Sequence, residues 1–199
     1  MTVTTDWCQR LVAITGGIGT GKSVVSRILT TMGFDVYDCD SRAKLLMDEN
    51  PAIIDAIANE VCSDAVKDGR IDRCALAESV FANKTLLSKL NSIVHSAVIS
   101  DFLTWSSGRH IVFVETAILY TSGMDSIVTE VWNVVAPEQL RIARIELRNP
   151  GLSHDQIQKR IESQKCELQP SAPHRCIYPI VNDGVSAILP QIERLLQRD

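Results

Sequence analysis

A glycine-rich segment of eight residues constrains the fold of this chain more than any other feature. Residues 16–23 are GGIGTGKS, which fits the phosphate-loop pattern G-x-x-x-x-G-K-[ST] at every fixed position. An apolar run, 11–14, precedes the segment, and apolar residues recur at helical spacing over 24–32. The sequence therefore predicts a buried strand, a phosphate-binding loop and a helix, in that order.

The residue types of this loop explain what it can bind. Glycines allow backbone N–H groups to approach phosphate oxygens, and the N-terminus of the following helix adds partial positive charge. Lys22 is expected to reach the β- and γ-phosphates, and the Ser23 hydroxyl to ligate Mg²⁺. The sequence lacks the Asn-Lys-x-Asp segment typical of guanine-binding proteins, so ATP is the predicted nucleotide. The predicted nucleotide-binding residues of the loop are Gly17, Gly19, Thr20, Gly21, Lys22, Ser23 and Val24.

Short apolar runs alternate with helical patterns along the chain. Such alternation predicts an α/β fold of three layers with a parallel sheet, and 199 residues favour one domain. Residues 41–105 are predicted to be almost entirely helical and to interrupt the strands. The expected parts are a core (8–40, 109–148 and 176–199), a helical insertion that binds the acceptor (41–108) and a helical lid (149–175).

Composition excludes several classes of function. The formal net charge of −4 argues against nonspecific binding to nucleic acids or anionic membranes. No apolar run reaches the length of about 20 residues that a membrane span needs, and no signal peptide is evident. The six cysteines have no metal-binding spacing and are expected to be free thiols. We therefore expect a cytoplasmic protein with no nucleic-acid or membrane partner.

Carboxylates follow two of the predicted strands. Asp38 and Asp40 end the second predicted strand, and Glu115 ends a later one. Ligands of open parallel sheets lie beyond the carboxyl ends of strands, so Asp38 is the candidate general base. Asp40 could assist it or cap the next helix, and Glu115 could serve Mg²⁺ or lie at a solvated strand end. Asn91 and His95 share a helix face and could line an acceptor pocket or be structural.

Basic residues cluster near the predicted lid. Arg141, Arg144 and Arg148 have helical spacing after Pro137, and Lys159, Arg160 and Lys165 follow. Arginines that close over a phosphoryl group stabilise its charge, although an ordinary solvated helix face is the alternative. Asn182, after the last predicted strand, could lie near adenine or form a turn.

Several segments together resemble the dephospho-coenzyme A kinase family over nearly the whole chain. Thr15–Ser23 is similar to the family's TGGIGSGKS, and Asp38–Asp40 to its D-A-D. The segment Ile71-Asp72-Arg73, with Leu76 and Val80-Phe81, resembles I-D-R-x-x-L-x-x-x-V-F, and Leu90-Asn91 with His95 resembles L-N-x-x-x-H-P. Later motif positions of the family are matched by Gln139, Arg144, Arg148, Gln164 and Asn182–Gly184. Ser96 and Thr121 depart from the family's proline and glutamate.

The resemblance implies a P-loop kinase that transfers the γ-phosphoryl group of ATP to the ribose 3′-hydroxyl of dephospho-coenzyme A, the last step of coenzyme A synthesis. Asp38 would accept the hydroxyl proton, and Arg144, with Arg148, would steady the transferring group. The insertion would bind the acceptor, and Asp38, Asp40, Arg73, Asn91 and His95 are the expected contacts. We expect a monomer. The alternatives are another small-molecule or nucleotide kinase, an ATP-binding regulatory module and a binding protein without turnover.

Overall fold

The computed structural model describes residues 9–81, 83–167 and 176–198, except for the side chains of 165–167. Cys8, the side chains of Lys165 and Cys166, and the end of the predicted lid lie outside the described residues. The chain divides into two compact units. Unit 1 is Met1–Tyr37 with Gly108–Asp199, and unit 2 is Asp38–Ser107.

Seven strands and eight α-helices follow one another in the described residues. In chain order they are β1 Arg10–Thr15, α1 Lys22–Thr31, β2 Val36–Asp38, α2 Cys39–Glu49, α3 Pro51–Glu60, β3 Val66–Lys67, β4 Arg70–Ile71, α4 Arg73–Phe81, α5 Lys84–Ser106, β5 Ile111–Glu115, β6 Glu130–Val135, α6 Glu138–Arg148, α7 His154–Glu167, β7 Ile177–Val181 and α8 Ile188–Leu196.

Five strands form one sheet in the order β2-β5-β1-β6-β7. β1 pairs in parallel with β5 and β6, and β6 pairs in parallel with β7. The predicted α/β fold with a parallel sheet is therefore confirmed. The central strand β1 carries the phosphate loop at its carboxyl end, so the loop begins at the middle of the sheet.

The apolar run of β1 is buried because the sheet is covered on both faces. Val12, Ala13 and Ile14 are each 0% exposed. On one side, Phe113 and Trp132 pack with ring centroids 5.1 Å apart and join Ile14 in a cluster that includes residues of α1 and α8. Burial of this cluster stabilises the strand that leads into the loop.

An ion pair with a buried carboxylate supports the start of the central strands. Glu130 is only 7% exposed, and its Oε1 lies 2.7 Å from Nη2 of Arg10. Its other oxygen, Oε2, accepts a hydrogen bond of 3.3 Å from the indole N–H of Trp132. The carboxylate therefore has partners on both oxygens, which offsets the cost of burying its charge.

Unit 2 consists mainly of helices α2 to α5. Its apolar cluster is centred on Ile57 and Ala65, both 0% exposed. The sequence predicts almost only helix here, whereas the structure also contains a hairpin of β3 and β4. Asp68 and Gly69 form its turn with φ of 51° and 72°, because Asp-Gly readily adopts the left-handed conformation that a tight hairpin needs. Across the helices, Arg42 Nη2 lies 2.7 Å from Asp101 Oδ1.

Four cysteines in the described part of the chain are free thiols: Cys39, Cys62, Cys74 and Cys176. No helix in that part of the chain combines the length and apolar character that a membrane crossing requires.

Truncation of the strand before the loop is expected to destabilise the protein. Ile14→Ala removes a fully buried side chain and should lower the free energy of unfolding by about 2–5 kcal/mol. Chemical denaturation followed by circular dichroism measures the change. Val185→Ala is the control, because Val185 is 92% exposed and its truncation should change stability by about 0.5 kcal/mol or less. Equal effects of the two substitutions would contradict the packing described.

Candidate functional site

The helix that follows the phosphate loop begins without a side-chain cap. Its N-cap is Gly21, which has a φ of 96° and makes no capping hydrogen bond through a side chain. The first turn of α1 contains no acidic residue. The first N–H groups of a helix have no intrahelical partner, so this terminus attracts an anion from outside the helix.

Two glycines of the loop are required by close approaches as well as by their backbone angles. Gly16 has a φ of 144°, and a Cβ there would clash with the carbonyl oxygen of Val134. A Cβ on Gly21 would clash with the amide nitrogen of Asn182. The loop therefore lies directly on β6 and on the segment after β7, and larger residues at these positions would move it.

Five successive carbonyl oxygens of the loop accept hydrogen bonds from side chains. The donors are Lys22 Nζ to Gly16 at 2.8 Å, Thr20 Oγ1 to Gly17 at 2.9 Å, Arg141 Nε to Ile18 at 2.9 Å, Arg144 Nη1 to Gly19 at 3.3 Å and Asn182 Nδ2 to Thr20 at 2.7 Å. These bonds hold the loop carbonyl oxygens, which are the negative ends of the peptide dipoles, against protein donors. A loop held in this way can present its N–H groups to an anion.

Arg144 and Asn182 form one connected support. Arg144 Nη1 also lies 3.4 Å from the Thr20 carbonyl, and its Nη2 donates to the backbone and side-chain oxygens of Asn182 at 3.2 and 3.0 Å. Asn182 is 8% exposed. The family resemblance implies a role for Arg144 at the transferring phosphoryl group. The structure adds contacts with the loop backbone that sequence reasoning missed.

Ile18 connects the loop with helices α6 and α7. Its side chain packs against a cluster formed by Ile142, Ile145, Ile157 and Ile161. Its backbone N–H donates to Oε1 of Gln164 on α7 at 2.6 Å. Gln164 matches a family landmark in the sequence, but the sequence does not show its partner. A capping box precedes α7, since Ser153 N–H donates to Gln156 Oε1 at 2.9 Å and Gln156 N–H to Ser153 Oγ at 3.3 Å.

Asp38 is both the end of β2 and the N-cap of α2. Its Oδ1 accepts from the N–H groups of Asp40 and Ser41 at 3.0 and 3.3 Å, and its Oδ2 from the Ser41 hydroxyl at 2.6 Å. The alternative in which Asp40 caps this helix is wrong, because the helix begins one residue after Asp38. The capping bonds orient the carboxylate of Asp38 and leave lone pairs for another donor.

The order of the strands determines which carboxylate lies on the strand next to β1. From the sequence we expect the strand of Asp38 to be that neighbour, but β5 lies between β2 and β1. Glu115, at the end of β5, is the carboxylate on the neighbouring strand and pairs in register with Ile14. This order could not be inferred from sequence, since consecutive strands are not always adjacent.

All five predicted acceptor residues belong to unit 2, and the four other than Asp38 lie in helices α2, α4 and α5. Asp40 and Asn91 are exposed. Arg73 Nη2 donates to both carboxylate oxygens of Asp48 at 2.9 Å, so it already has an acidic partner. Burial lowers the pKa of His95, which favours its neutral form. The roles of these four side chains stay predictions.

The remaining predicted residues are Ser23, Val24 and Arg148. Ser23 and Val24 are exposed in the first turn of α1, and Arg148 is exposed at the end of α6. Within the part of the chain that the structure describes, no three His, Cys, Asp or Glu side chains form a metal-binding group. A single hydroxyl such as that of Ser23 fits Mg²⁺, which takes its other oxygens from phosphates and water.

Comparisons with known proteins identify the relatives of this chain. A family model described as dephospho-CoA kinase matches residues 10–183. A dephospho-CoA kinase of Porphyromonas gingivalis is 39% identical over 188 residues, which cover 94% of this chain and 92% of the relative. The crystal structure of TT1252 from Thermus thermophilus is 27% identical, with a TM-score of 0.72 and 95% of each chain covered. A dephospho-CoA kinase from Campylobacter jejuni shares the fold, with a TM-score of 0.65, 23% identity and 96% of each chain covered.

Removal of the Asn182 side chain is expected to loosen the phosphate loop. Asn182→Ala deprives the Thr20 carbonyl and Arg144 of buried partners, a loss of about 1–3 kcal/mol. We expect the dissociation constant for ATP to rise about tenfold or more, as measured by titration calorimetry. Gln197→Ala, an exposed change at the end of α8, should leave it unaltered. Unchanged ATP affinity in Asn182→Ala would contradict the supporting role.

Proposed function

The chain belongs to the dephospho-CoA kinase family, and we propose that it transfers the γ-phosphoryl group of ATP to the ribose 3′-hydroxyl of dephospho-coenzyme A. The observation that carries this proposal is the phosphate loop, whose carbonyl oxygens are all engaged by protein donors over residues 16–20. Its amide groups and the N-terminus of α1 supply the positive electrostatic potential that a polyphosphate requires.

Lys22 is the proposed cation for the β- and γ-phosphates. Its ammonium group lies 2.8 Å from the Gly16 carbonyl, at the start of the loop. A Lys ammonium group has three N–H donors, so Nζ can keep the Gly16 carbonyl and also donate to phosphate oxygens. Gly17, Gly19, Thr20 and Gly21 supply the backbone around it, and Ser23 and Val24 continue the binding surface into the first turn of α1.

Ser23 is the residue that would hold Mg²⁺. The ion, when bound with the nucleotide, supplies positive charge that offsets the charge of the phosphate oxygens. The hydroxyl of Ser23 follows Lys22 directly and is exposed. Ser23 therefore adds one neutral ligand. A carboxylate in that turn would repel the phosphates, whereas the hydroxyl does not.

Asp38 is the proposed general base. The ribose 3′-hydroxyl donates its proton to the Asp38 carboxylate while its oxygen forms a bond to the γ-phosphorus, and the bond from that phosphorus to the β–γ bridging oxygen breaks to release ADP. The fixed N-cap geometry supports this role, since hydrogen bonds from Ser41 hold the carboxylate in one rotamer. Asp40, Arg73, Asn91 and His95 are the proposed contacts for the rest of the acceptor.

Arg144 and Arg148 are proposed to act from α6. Both Nη atoms of Arg144 already contact the loop or Asn182, so its contribution is to hold the loop in a binding conformation. Arg148 lies one turn further along α6 and is exposed, so it has the freedom to approach a phosphate.

The acceptor is tested by offering dephospho-coenzyme A, AMP and gluconate in parallel with ATP and following ADP release. Turnover only with dephospho-coenzyme A is the expected result. Turnover confined to AMP would indicate a nucleotide kinase and contradict the proposal. Slow ATP hydrolysis that no acceptor stimulates would indicate a nucleotide-binding module instead.

Asp38→Asn is expected to slow phosphoryl transfer without unfolding α2. Asn caps helices about as well as Asp, so α2 should remain stable, but the amide cannot accept the proton. We expect kcat to fall by about 10²-fold or more, with little change in ATP affinity.

A matched control is available at a second helix N-terminus. Asp72 accepts hydrogen bonds from the N–H groups of Cys74 and Ala75 at the start of α4. Asp72→Asn makes the same chemical change and should leave kcat nearly unaltered. An unaltered kcat in Asp38→Asn would show that the base lies elsewhere.

A further inference from the structure

The guanidinium group of Arg141 lies directly against the phosphate loop. Its Nε donates to the Ile18 carbonyl at 2.9 Å. A Cβ on Gly17 would clash with Nη2 of Arg141, and a Cβ on Gly19 would lie 2.8 Å from the Arg141 carbonyl oxygen. Arg141 therefore follows the loop from Gly19 to Gly17 at close contact, and the absence of side chains at both glycines makes room for it.

One nitrogen of this guanidinium is buried without an acceptor. Among the described residues, Nη2 of Arg141 has no hydrogen-bond partner although it is buried. Burial also lowers the pKa of Arg141, an effect that the nearby Glu138 opposes. A cationic N–H group without a partner in such a place costs free energy, unless an acceptor arrives with the ligand.

The neighbouring arginine differs in this respect. Arg144 uses Nη1 on the carbonyls of Gly19 and Thr20 and Nη2 on Asn182. In contrast, Arg141 uses Nε on the loop, and its Nη2 is buried beside Gly17 without a partner. Of these two arginines in contact with the loop, Arg141 is the one with a spare charged donor.

We infer that Arg141 is a further phosphate-binding residue, which donates from Nη2 to an oxygen of the polyphosphate held by residues 16–23. This inference rests on the proposed function, because it requires an anion on the loop. The hydrogen-bond acceptor of Nη2 must come from the ligand, since the loop carbonyls already accept other donors. It must be anionic to match the charge of the guanidinium group, and it must approach the loop closely. A phosphate oxygen satisfies both requirements.

The test measures binding of inorganic tripolyphosphate, ATP and adenosine by titration calorimetry. Arg141→Met keeps a side chain of similar length without charge and should weaken tripolyphosphate and ATP binding by about 10- to 100-fold. Any binding of adenosine, which has no phosphate, should not change. Arg194→Met is the matched control, because Arg194 is exposed on α8, and it should leave all three affinities unaltered.

Salt dependence separates a phosphate contact from mere support of the loop. A charged contact makes binding weaker as the ionic strength rises. Arg141→Met should therefore flatten the dependence of tripolyphosphate affinity on salt, whereas Arg141→Lys should largely keep it and bind with intermediate affinity, because lysine retains the charge but lacks the planar fork. Weaker binding with an unaltered salt dependence in both variants would assign Arg141 to support alone and overturn the inference.

Gly17→Ala provides a test that leaves Arg141 itself unchanged. Gly17 does not have a positive φ, so its backbone accepts alanine, but the new Cβ would displace the guanidinium. We expect weaker tripolyphosphate binding in Gly17→Ala and little further loss in the double variant with Arg141→Met. Fully additive losses would contradict a shared contact.

The outcomes also separate this inference from the proposed function. If the wild-type protein phosphorylates dephospho-coenzyme A and Arg141→Met binds tripolyphosphate normally, the inference fails while the function stands. If the wild-type protein binds neither ATP nor tripolyphosphate, the proposed function fails and the inference fails with it.

Discussion

The anchoring of the phosphate-loop carbonyls is the interaction on which the site depends. A short glycine-rich loop has many conformations, and its carbonyl oxygens would repel a polyphosphate if they turned toward it. Here Lys22, Thr20, Arg141, Arg144 and Asn182 each donate to a loop carbonyl. The donors come from the loop, from α1, from α6 and from the end of β7, so the anion site is a product of unit 1 as a whole.

The parallel sheet explains how such distant residues meet. β1 lies at the centre, with β6 beside it and β7 at the edge beyond. α6 follows β6, and Asn182 follows β7 directly, so both enter the site from the carboxyl ends of their strands. The buried packing of Ile14, Phe113 and Trp132 holds these strands in register. A loss of packing in the sheet would therefore be transmitted to the loop through its anchors.

Helices α6 and α7 are connected to the loop by more than charge. Ile18 inserts into their apolar cluster, while Arg141 binds its carbonyl and Gln164 its N–H. The N–H of Ile18 belongs to the loop proposed to bind the polyphosphate, and in this structure Gln164 accepts from it. The arginine-rich helix and the loop are thus one packed assembly, in which the side chains that carry charge are placed by apolar contacts.

The sequence by itself determined the strand–loop–helix unit, the parallel α/β fold and the family. These follow from local patterns: GGIGTGKS needs glycine conformations and a helix N-terminus, and apolar runs of four or five residues need burial on both sides. Only the tertiary structure decided that β5 separates β1 from β2, that Asp38 rather than Asp40 caps α2, and that residues 66–71 form a hairpin. The same holds for the partners of Arg141, Arg144, Asn182 and Gln164. Their hydrogen bonds join residues up to 162 positions apart in the chain, and periodicity carries no information on such distant pairs.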